Sequence, residues 1–237
     1  MITAEKIFLI LCLINSFLCY TSFMIKATGK PPTELQRQVT IAIRILKTGG
    51  VVAYPTDTVY GLGAVIKNVS AIERIFEIKG RPKGMALPLL LSDVSQIATI
   101  ASSVPYAALQ LAEAFFPGAL TIILSKSDNV PDLITAGNKS VAFRIPNHPI
   151  PLALIKGTGT PIIGTSANLS GQPSATTAAD VETQIGKKVD MIIDGGKCSG
   201  GIESTIIDLT GEKPVIRRQG AISLERIKQV VPDIISL

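Results

Sequence analysis

Tryptophan is absent from these 237 residues, histidine occurs once, at His148, and aromatic residues together make up only 5%. So few aromatics argue against a stacking platform for single-stranded nucleic acid. A lone histidine with no partner at a telling spacing gives no support to a zinc centre or a serine–histidine–aspartate triad. Cysteine is scarce too: Cys12, Cys19 and Cys198 have neither metal-ligand spacing nor the number for a disulfide framework. Charged residues are few, at 17%, and no run of five or six basic residues occurs, although 23 Lys and Arg against 18 Asp and Glu leave the chain at +5. That mild excess suits an anionic ligand or RNA touching one face, and does not by itself establish nucleic-acid binding. Two glycine signatures are missing as well. There is no Gly-x-x-x-x-Gly-Lys-Ser/Thr loop, and no Gly-x-Gly-x-x-Gly follows a strand. A nucleotide bound here would have its phosphates held by side-chain charge instead of a glycine cradle.

What is present is apolar surface. Hydrophobic residues make up 46%, enough for a sizeable core in one domain. One stretch stands apart: "IFLILCLINSFLCYTSFMI", residues 7–25, is nearly all apolar and follows a weak basic segment in which Glu5 offsets Lys6. Its length permits a membrane span or a signal segment, but Asn15, Ser16, Thr21 and Ser22 weaken the span and no small-x-small cleavage site follows. Translation starting at Met24 is the favoured reading, with a membrane anchor through residues 7–25 the next. The chain therefore divides into an apolar extension, 1–29, and a globular domain, 30–237, with no internal repeat and no long linker.

Within that domain, "TELQRQVTIAIRILK" predicts a helix capped by Thr33 and ended by Gly49 and Gly50. "GVVAYPT" reads as a buried strand, and "VSAIERIFEIKG" as a helix stopped at Gly80 ahead of Pro82. "ALPLLLS", "GALTIILSKS", "SVAFRIP" and "VDMIIDGG" read as strands, and "PIIGTSAN" as a strand running into a loop. "ESTIIDLT" and "KPVIRRQG" read as a strand pair turned by "GEK". Helices are expected in "SDVSQIATIA", "PYAALQLAEAF", "HPIPLALIKGTG", "TAADVETQIG" and "SLERIKQVV". The irregular alternation predicts an α/β fold with a mixed, twisted sheet.

Polar and glycine-rich residues gather where these elements end, which is where open α/β sheets bind ligands. "PTDTVYGLG" sets Thr56, Asp57, Thr58 and Tyr60 after a strand and ends in Gly61 and Gly63. "KGRPK" puts Lys79, Arg81 and Lys83 at a helix end, where a solvated cationic terminus is the bland alternative. "TSAN" offers Ser166 and Asn168 two residues apart, hence on one side of an extended segment, with an ordinary turn as the alternative. Arg144 precedes a proline, and "GGIEST" and "VIRRQG" add Ser204, Thr205, Arg217 and Arg218. Several cations and small hydroxyls thus stand ready for an anion.

"PTDTVYGLG", "IKGRP", "VAFRIPNHP", "GTSANLSG" and "ESTIID…RQGAI" follow the order and approximate spacing of the YrdC-like family, the threonylcarbamoyl-AMP synthases. From about Glu34 onward the chain resembles that family. The resemblance implies a YrdC-like (dihydroxybutanone-phosphate synthase-like) α/β fold with flanking helices and a large basic cavity. It implies synthesis of L-threonylcarbamoyl-AMP from L-threonine, bicarbonate and ATP, with release of pyrophosphate and Mg²⁺ accompanying ATP. A tRNA threonylcarbamoyl transferase would then modify the adenosine beside the anticodon of ANN-decoding tRNAs, with at most a weak tRNA contact by this protein, in the cytoplasm. By resemblance, Lys79 and Arg81 are catalytic and, with Arg144, Ser166, Asn168, Ser204 and Arg218, bind ATP and the adenylate. Thr56, Thr58 and Tyr60 match the threonine pocket, with Asp57 expected to orient the loop. No side chain is identified as a metal ligand.

One departure stands out. Many relatives follow the basic motif with "PLIVH", and Leu90 falls where that histidine would be. The matched motifs also end with the core domain, where longer relatives continue into a further one. Two rivals to the synthase reading are a YrdC-like RNA-binding module without activity and a carbamoyl-handling domain of the hydrogenase-maturation kind. The latter usually sits in a longer chain with zinc fingers, which the three cysteines do not resemble.

Overall fold

The computed structural model describes residues 33–236; the apolar stretch 7–25, the start at Met24 and the boundary between 1–29 and 30–237 lie outside them. Among the described residues no helix is long and apolar enough to cross a membrane.

Eight α-helices run through these residues: α1 (Glu34–Lys47), α2 (Val69–Lys79), α3 (Ile97–Ile100), α4 (Tyr106–Phe115), α5 (Asp132–Thr135), α6 (Pro149–Thr158), α7 (Ala178–Ile185) and α8 (Leu224–Lys228). The strands are β1 (Val52–Tyr54), β2 (Gly61–Gly63), β3 (Leu89–Leu90), β4 (Leu120–Ser125), β5 (Ser140–Arg144), β6 (Ile162–Ile163), β7 (Thr165–Ser166), β8 (Met191–Ile192), β9 (Thr205–Asp208), β10 (Val215–Arg218) and β11 (Ile235–Ser236). They form two mixed sheets rather than one. A four-stranded sheet has the order β7-β2-β1-β8, and a seven-stranded sheet the order β11-β10-β9-β4-β5-β3-β6.

The expected helices form for local reasons. Thr33 and Gln36 make a reciprocal capping box at the start of α1, and α2 stops at Gly80 in the left-handed conformation, φ 59°. Two strand readings needed correction. "GLG", read as the end of the polar segment after the first strand, is itself strand β2, paired antiparallel with β1. "PIIGTSAN" is two strands, with β6 in the large sheet and β7 in the small one. The chain changes sheet at Gly164, whose amide donates to the Pro88 carbonyl at 2.9 Å. A Cβ there would lie 2.3 Å from Leu90 Cγ, so only glycine passes. The register of β10 against β9 shifts at a bulge between Ile216 and Arg218, which re-aims Arg218 relative to its neighbour.

Strand alternation divides the seven-stranded sheet into two faces. Leu120, Ile122 and Leu124 of β4, with Val141 and Phe143 of β5, enter the main core. The intervening Thr121, Ile123, Ala142 and Arg144 face the other way and line a cavity. Ile123 stands opposite Ala142, and Thr121 beside Ile206, so the cavity floor is a set of registered cross-strand neighbours. A second core, of Val39, Ile43, Leu46, Tyr54, Leu154 and Ile155 among others, joins α1 and α6 to the small sheet.

Candidate active site

The cavity has a volume of about 370 Å³, within the usual range for a small-molecule site. Its lining includes Thr56, Thr58 and Tyr60 from the loop between β1 and β2, and Arg81 after α2. Ser166, Ser204, Arg144 and Arg218 join them from the strand ends. Sequence reasoning named all eight, and the fold brings them together.

Lys79 and Asn168, named with them, do not line it. The Lys79 ammonium donates to the Ser166 carbonyl at 2.5 Å, the Asn168 carbonyl at 2.9 Å and Asn168 Oδ1 at 3.2 Å. An ammonium has three donors, and all three are spent on one loop. Asn168 Nδ2 donates to the Leu169 and Gln172 carbonyls. The expectation that Ser166 and Asn168 face one side is thus corrected: Ser166 looks into the cavity, and Asn168 turns inward to clamp its own loop through Lys79. Burial is the first cause that lowers the Lys79 pKa to about 8; the Arg81 charge adds to this and Glu203 opposes it.

Arg81 is different. Its Nη2 donates to the Ala86 carbonyl at 2.8 Å, and its buried Nε has no partner. Among the described residues no carboxylate lies within ion-pair distance of it. Burial also lowers its pKa. A desolvated guanidinium with donors left over is costly unless an anion comes to meet it.

The threonine-rich loop is internally bonded. Arg144 Nη1 donates to Thr58 Oγ1 at 2.7 Å, and Thr56 Oγ1 donates to the Val59 carbonyl at 2.7 Å. The 3.0 Å contact between the two hydroxyls must therefore be donated by Thr58. With the Thr58 amide also on Thr56 Oγ1 at 3.1 Å, Thr56 is saturated and Thr58 keeps one open acceptor site. Tyr60 spends its hydroxyl on the Gly196 carbonyl at 2.9 Å, and burial pushes its pKa up to about 12. Asp57 accepts from Arg144 Nη2 at 2.5 Å while the Gly118 carbonyl accepts from Arg144 Nε at 2.8 Å. Gly61 and Gly63 make room for protein rather than for ligand on their Cβ side: a Cβ on either would come within 2.8 Å of the Tyr54 ring.

Arg218 Nε and Nη2 both donate to the Ser204 carbonyl, at 3.2 and 2.9 Å, and Nη1 pairs with Glu203. Ser204 Oγ meets Thr121 Oγ1 at 2.7 Å. Arg217 points elsewhere, to Asp208 at 2.8 Å, and Thr205 is fully buried and holds the 220–222 turn. His148 caps α6 through Nδ1 at 3.3 Å. Residues that sequence reasoning missed are Glu203 and the floor, Thr121, Ile123, Ala142 and Ile206. The floor was discoverable, since those residues alternate with the core positions of β4, β5 and β9.

A mixed α/β domain whose strand ends close on an arginine-lined cavity, with one guanidinium unpaired, has the construction of an anion-binding α/β protein. Comparison with known proteins makes this specific. The Sua5_yciO_yrdC family model, described as "Telomere recombination", matches residues 44–220, and the chain belongs to this family. It is 44% identical over 197 residues to a threonylcarbamoyl-AMP synthase of Pyrococcus abyssi, covering 83% of this chain and 58% of that one. The crystal structure of P. abyssi Sua5 complexed with L-threonine superposes with a TM-score of 0.83 at 43% identity, covering 87% of this chain and 60% of that one. Escherichia coli YciO superposes at 0.75 with 32% identity, covering 84% of this chain and 95% of that one. The chain spans little more than half the length of the first curated synthases it matches.

Proposed function

We propose that the globular domain, from about residue 30, is an L-threonylcarbamoyladenylate synthase, a nucleotidyltransferase acting in the cytoplasm. In this reading L-threonine's amine loses a proton and captures bicarbonate as a carbamate with loss of water. A carbamate oxygen then attacks the α-phosphate of ATP, the bond to the β-phosphate breaks, and pyrophosphate leaves. A tRNA threonylcarbamoyl transferase would consume the adenylate. The observation that carries this reading is the unpaired, half-buried guanidinium of Arg81 in a cavity that Thr56 and Thr58 also line. Its supports are family membership and the L-threonine held by the P. abyssi relative.

Arg81 and Arg218 would bind the phosphates, with Ser166 and Ser204 donating from the rim, and line the carbamate up with the α-phosphate. Thr58 would accept the threonine hydroxyl, beside Thr56, Tyr60 and Arg144. Lys79 and Asn168 would act on the nucleotide by holding the Ser166 loop. Leu90, buried in β3, would give threonine an apolar wall where relatives carry histidine. Mg²⁺ would supply charge neutralisation on the phosphates. Among the described residues no three His, Cys, Asp or Glu side chains gather to hold a metal, and Glu203 is engaged by Arg218. The side chains do not fit a protein-held Mg²⁺, which would travel on the nucleotide.

The test is to incubate the purified chain with ATP, L-threonine and bicarbonate and to measure pyrophosphate and the adenylate. Threonine-dependent release of both supports the synthase. No release, with tRNA retained in a binding assay, would leave the RNA-binding module that the +5 charge also suits.

A further inference from the structure

Among the described residues that line the cavity, Glu203 alone is acidic. A carboxylate is out of place in a site for a triphosphate. Its surroundings explain it. Two arginines of the cavity are paired, and the two pairs differ. Arg144 and Asp57 are buried, with side chains 9% and 16% exposed. That pair is the less exposed of the two and the costlier to break. Arg218 and Glu203 are 40% and 37% exposed, so an arriving anion can reach them. Nor does Arg218 depend on Glu203 for its aim: Nε and Nη2 both rest on the Ser204 carbonyl. Glu203 adds charge to Arg218, not direction. It also has somewhere to stay when Arg218 is taken, because Ser174 Oγ donates to Glu203 Oε1 at 2.7 Å.

We propose that Glu203 is a built-in competitor for Arg218: it occupies the guanidinium in the empty protein, yields it to a phosphate, and takes it back to help expel pyrophosphate. The inference rests on the reading that a nucleotide's phosphates enter this cavity. With Glu203 on Arg218 and Asp57 on Arg144, Arg81 is the lining arginine left uncompensated, and small anions are held weakly. A polyphosphate that engages Arg81 first can displace the carboxylate. The strap that carries Glu203 is tied to the threonine loop, through Gly201 amide to Thr58 carbonyl at 2.8 Å and Tyr60 hydroxyl to Gly196 carbonyl. Exchange at Arg218 is therefore mechanically joined to the threonine-rich loop.

The sign of the effect separates this role from damage, since a damaged site loses affinity. Pyrophosphate and ATP binding to the full chain would be measured by calorimetry for the parent, Glu203→Gln and Glu203→Gln/Arg218→Gln. Removing one negative charge a few ångströms from the phosphates should tighten pyrophosphate roughly tenfold. The gain should vanish in the double variant and shrink as salt is raised from about 0.05 to 0.5 M. Turnover of Glu203→Gln should become limited by product release, with pyrophosphate inhibiting at correspondingly lower concentration. Unchanged or weaker pyrophosphate binding in a variant that melts like the parent overturns the proposal. Should Glu203→Gln melt low, Glu203→Ala makes the same measurement, and unfolding of both would make Glu203 a structural partner and overturn it too. A parent that binds neither ATP nor pyrophosphate would instead sink the nucleotide reading itself.

Discussion

Replacing Arg81 by lysine keeps the charge and removes the geometry. In the structure the guanidinium spends one donor on the Ala86 carbonyl, keeps an unpartnered Nε, and leaves further donors free toward the cavity. A guanidinium can hold two phosphate oxygens at once, whereas an ammonium is a single point charge. If Arg81 meets the phosphates as charge moves onto the leaving pyrophosphate, losing that fork costs about 2.7–4 kcal/mol, a hundred- to a thousand-fold in rate. The fold should hardly notice. Its one hydrogen bond is worth about 0.5–1.5 kcal/mol net, and a domain of this size loses about 2–4 °C of Tm per kcal/mol. The assay is threonine-dependent pyrophosphate release at saturating threonine and bicarbonate, with thermal melting alongside. A solvated helix end, the bland reading of "KGRPK", predicts no change for a charge-conserving swap. If Arg81→Lys melts within a few degrees of the parent and turns over within about threefold of it, less than one kcal/mol, Arg81 is not in the site.

Three further outcomes follow from the geometry. Asp57→Asn strips the buried Arg144 of its countercharge and should cost about 3–5 kcal/mol, read by denaturant melts; a loss below about 1 kcal/mol would mean the pair contributes little. L-valine should be used about one to two decades less well than L-threonine, because it leaves the open acceptor of Thr58 unpaired, a defect of about 1–3 kcal/mol; competition kinetics in which the two are equal would refute this. Lys79 titrates at about 8 when folded against 10.5 ordinarily, so between those values the unfolded chain binds the extra proton and folding becomes more favourable as pH rises. Over that same window the neutral amine gives up one of its three bonds to the Ser166 loop, so pyrophosphate release should fall above pH about 8 while the melt does not, and a rate that stays flat to pH 9.5 excludes the clamp.

Much of the fold was legible because its causes are local. The capping box at Thr33, the stop at Gly80 and the alternation of β4 are each written in a few adjacent residues. The division into two sheets was not. It turns on Gly164, whose need to be glycine comes from Leu90, more than seventy residues earlier in the chain, and no window of sequence holds both. "GLG" failed for the same reason. Glycine is depleted in strands, yet Gly61 and Gly63 belong to one because the Tyr54 ring lies across them and its hydroxyl reaches the Ile163 carbonyl at 3.0 Å.

The site divides along a line that spacing alone does not draw. Lys79 and Arg81 sit two residues apart, as do Ser166 and Asn168, and each pair reads as two groups aimed at one ligand. The structure takes one member of each pair for itself. Lys79 falls in the last turn of α2 and is 3% exposed; an ammonium so placed must find acceptors inside the protein, and the Ser166 and Asn168 carbonyls supply them. Arg81 lies beyond Gly80, where the helix no longer dictates direction, and its donors outnumber the acceptors within reach. The same accounting sorts the remaining cations: Arg144 is compensated from within, Arg218 is compensated by a carboxylate that solvent can reach, and Arg81 is left wanting. A polyanion entering the cavity should thus engage Arg81 first and contend with Glu203 for Arg218 second. The order in which these arginines are satisfied follows from their partners, which only the folded chain brings into contact.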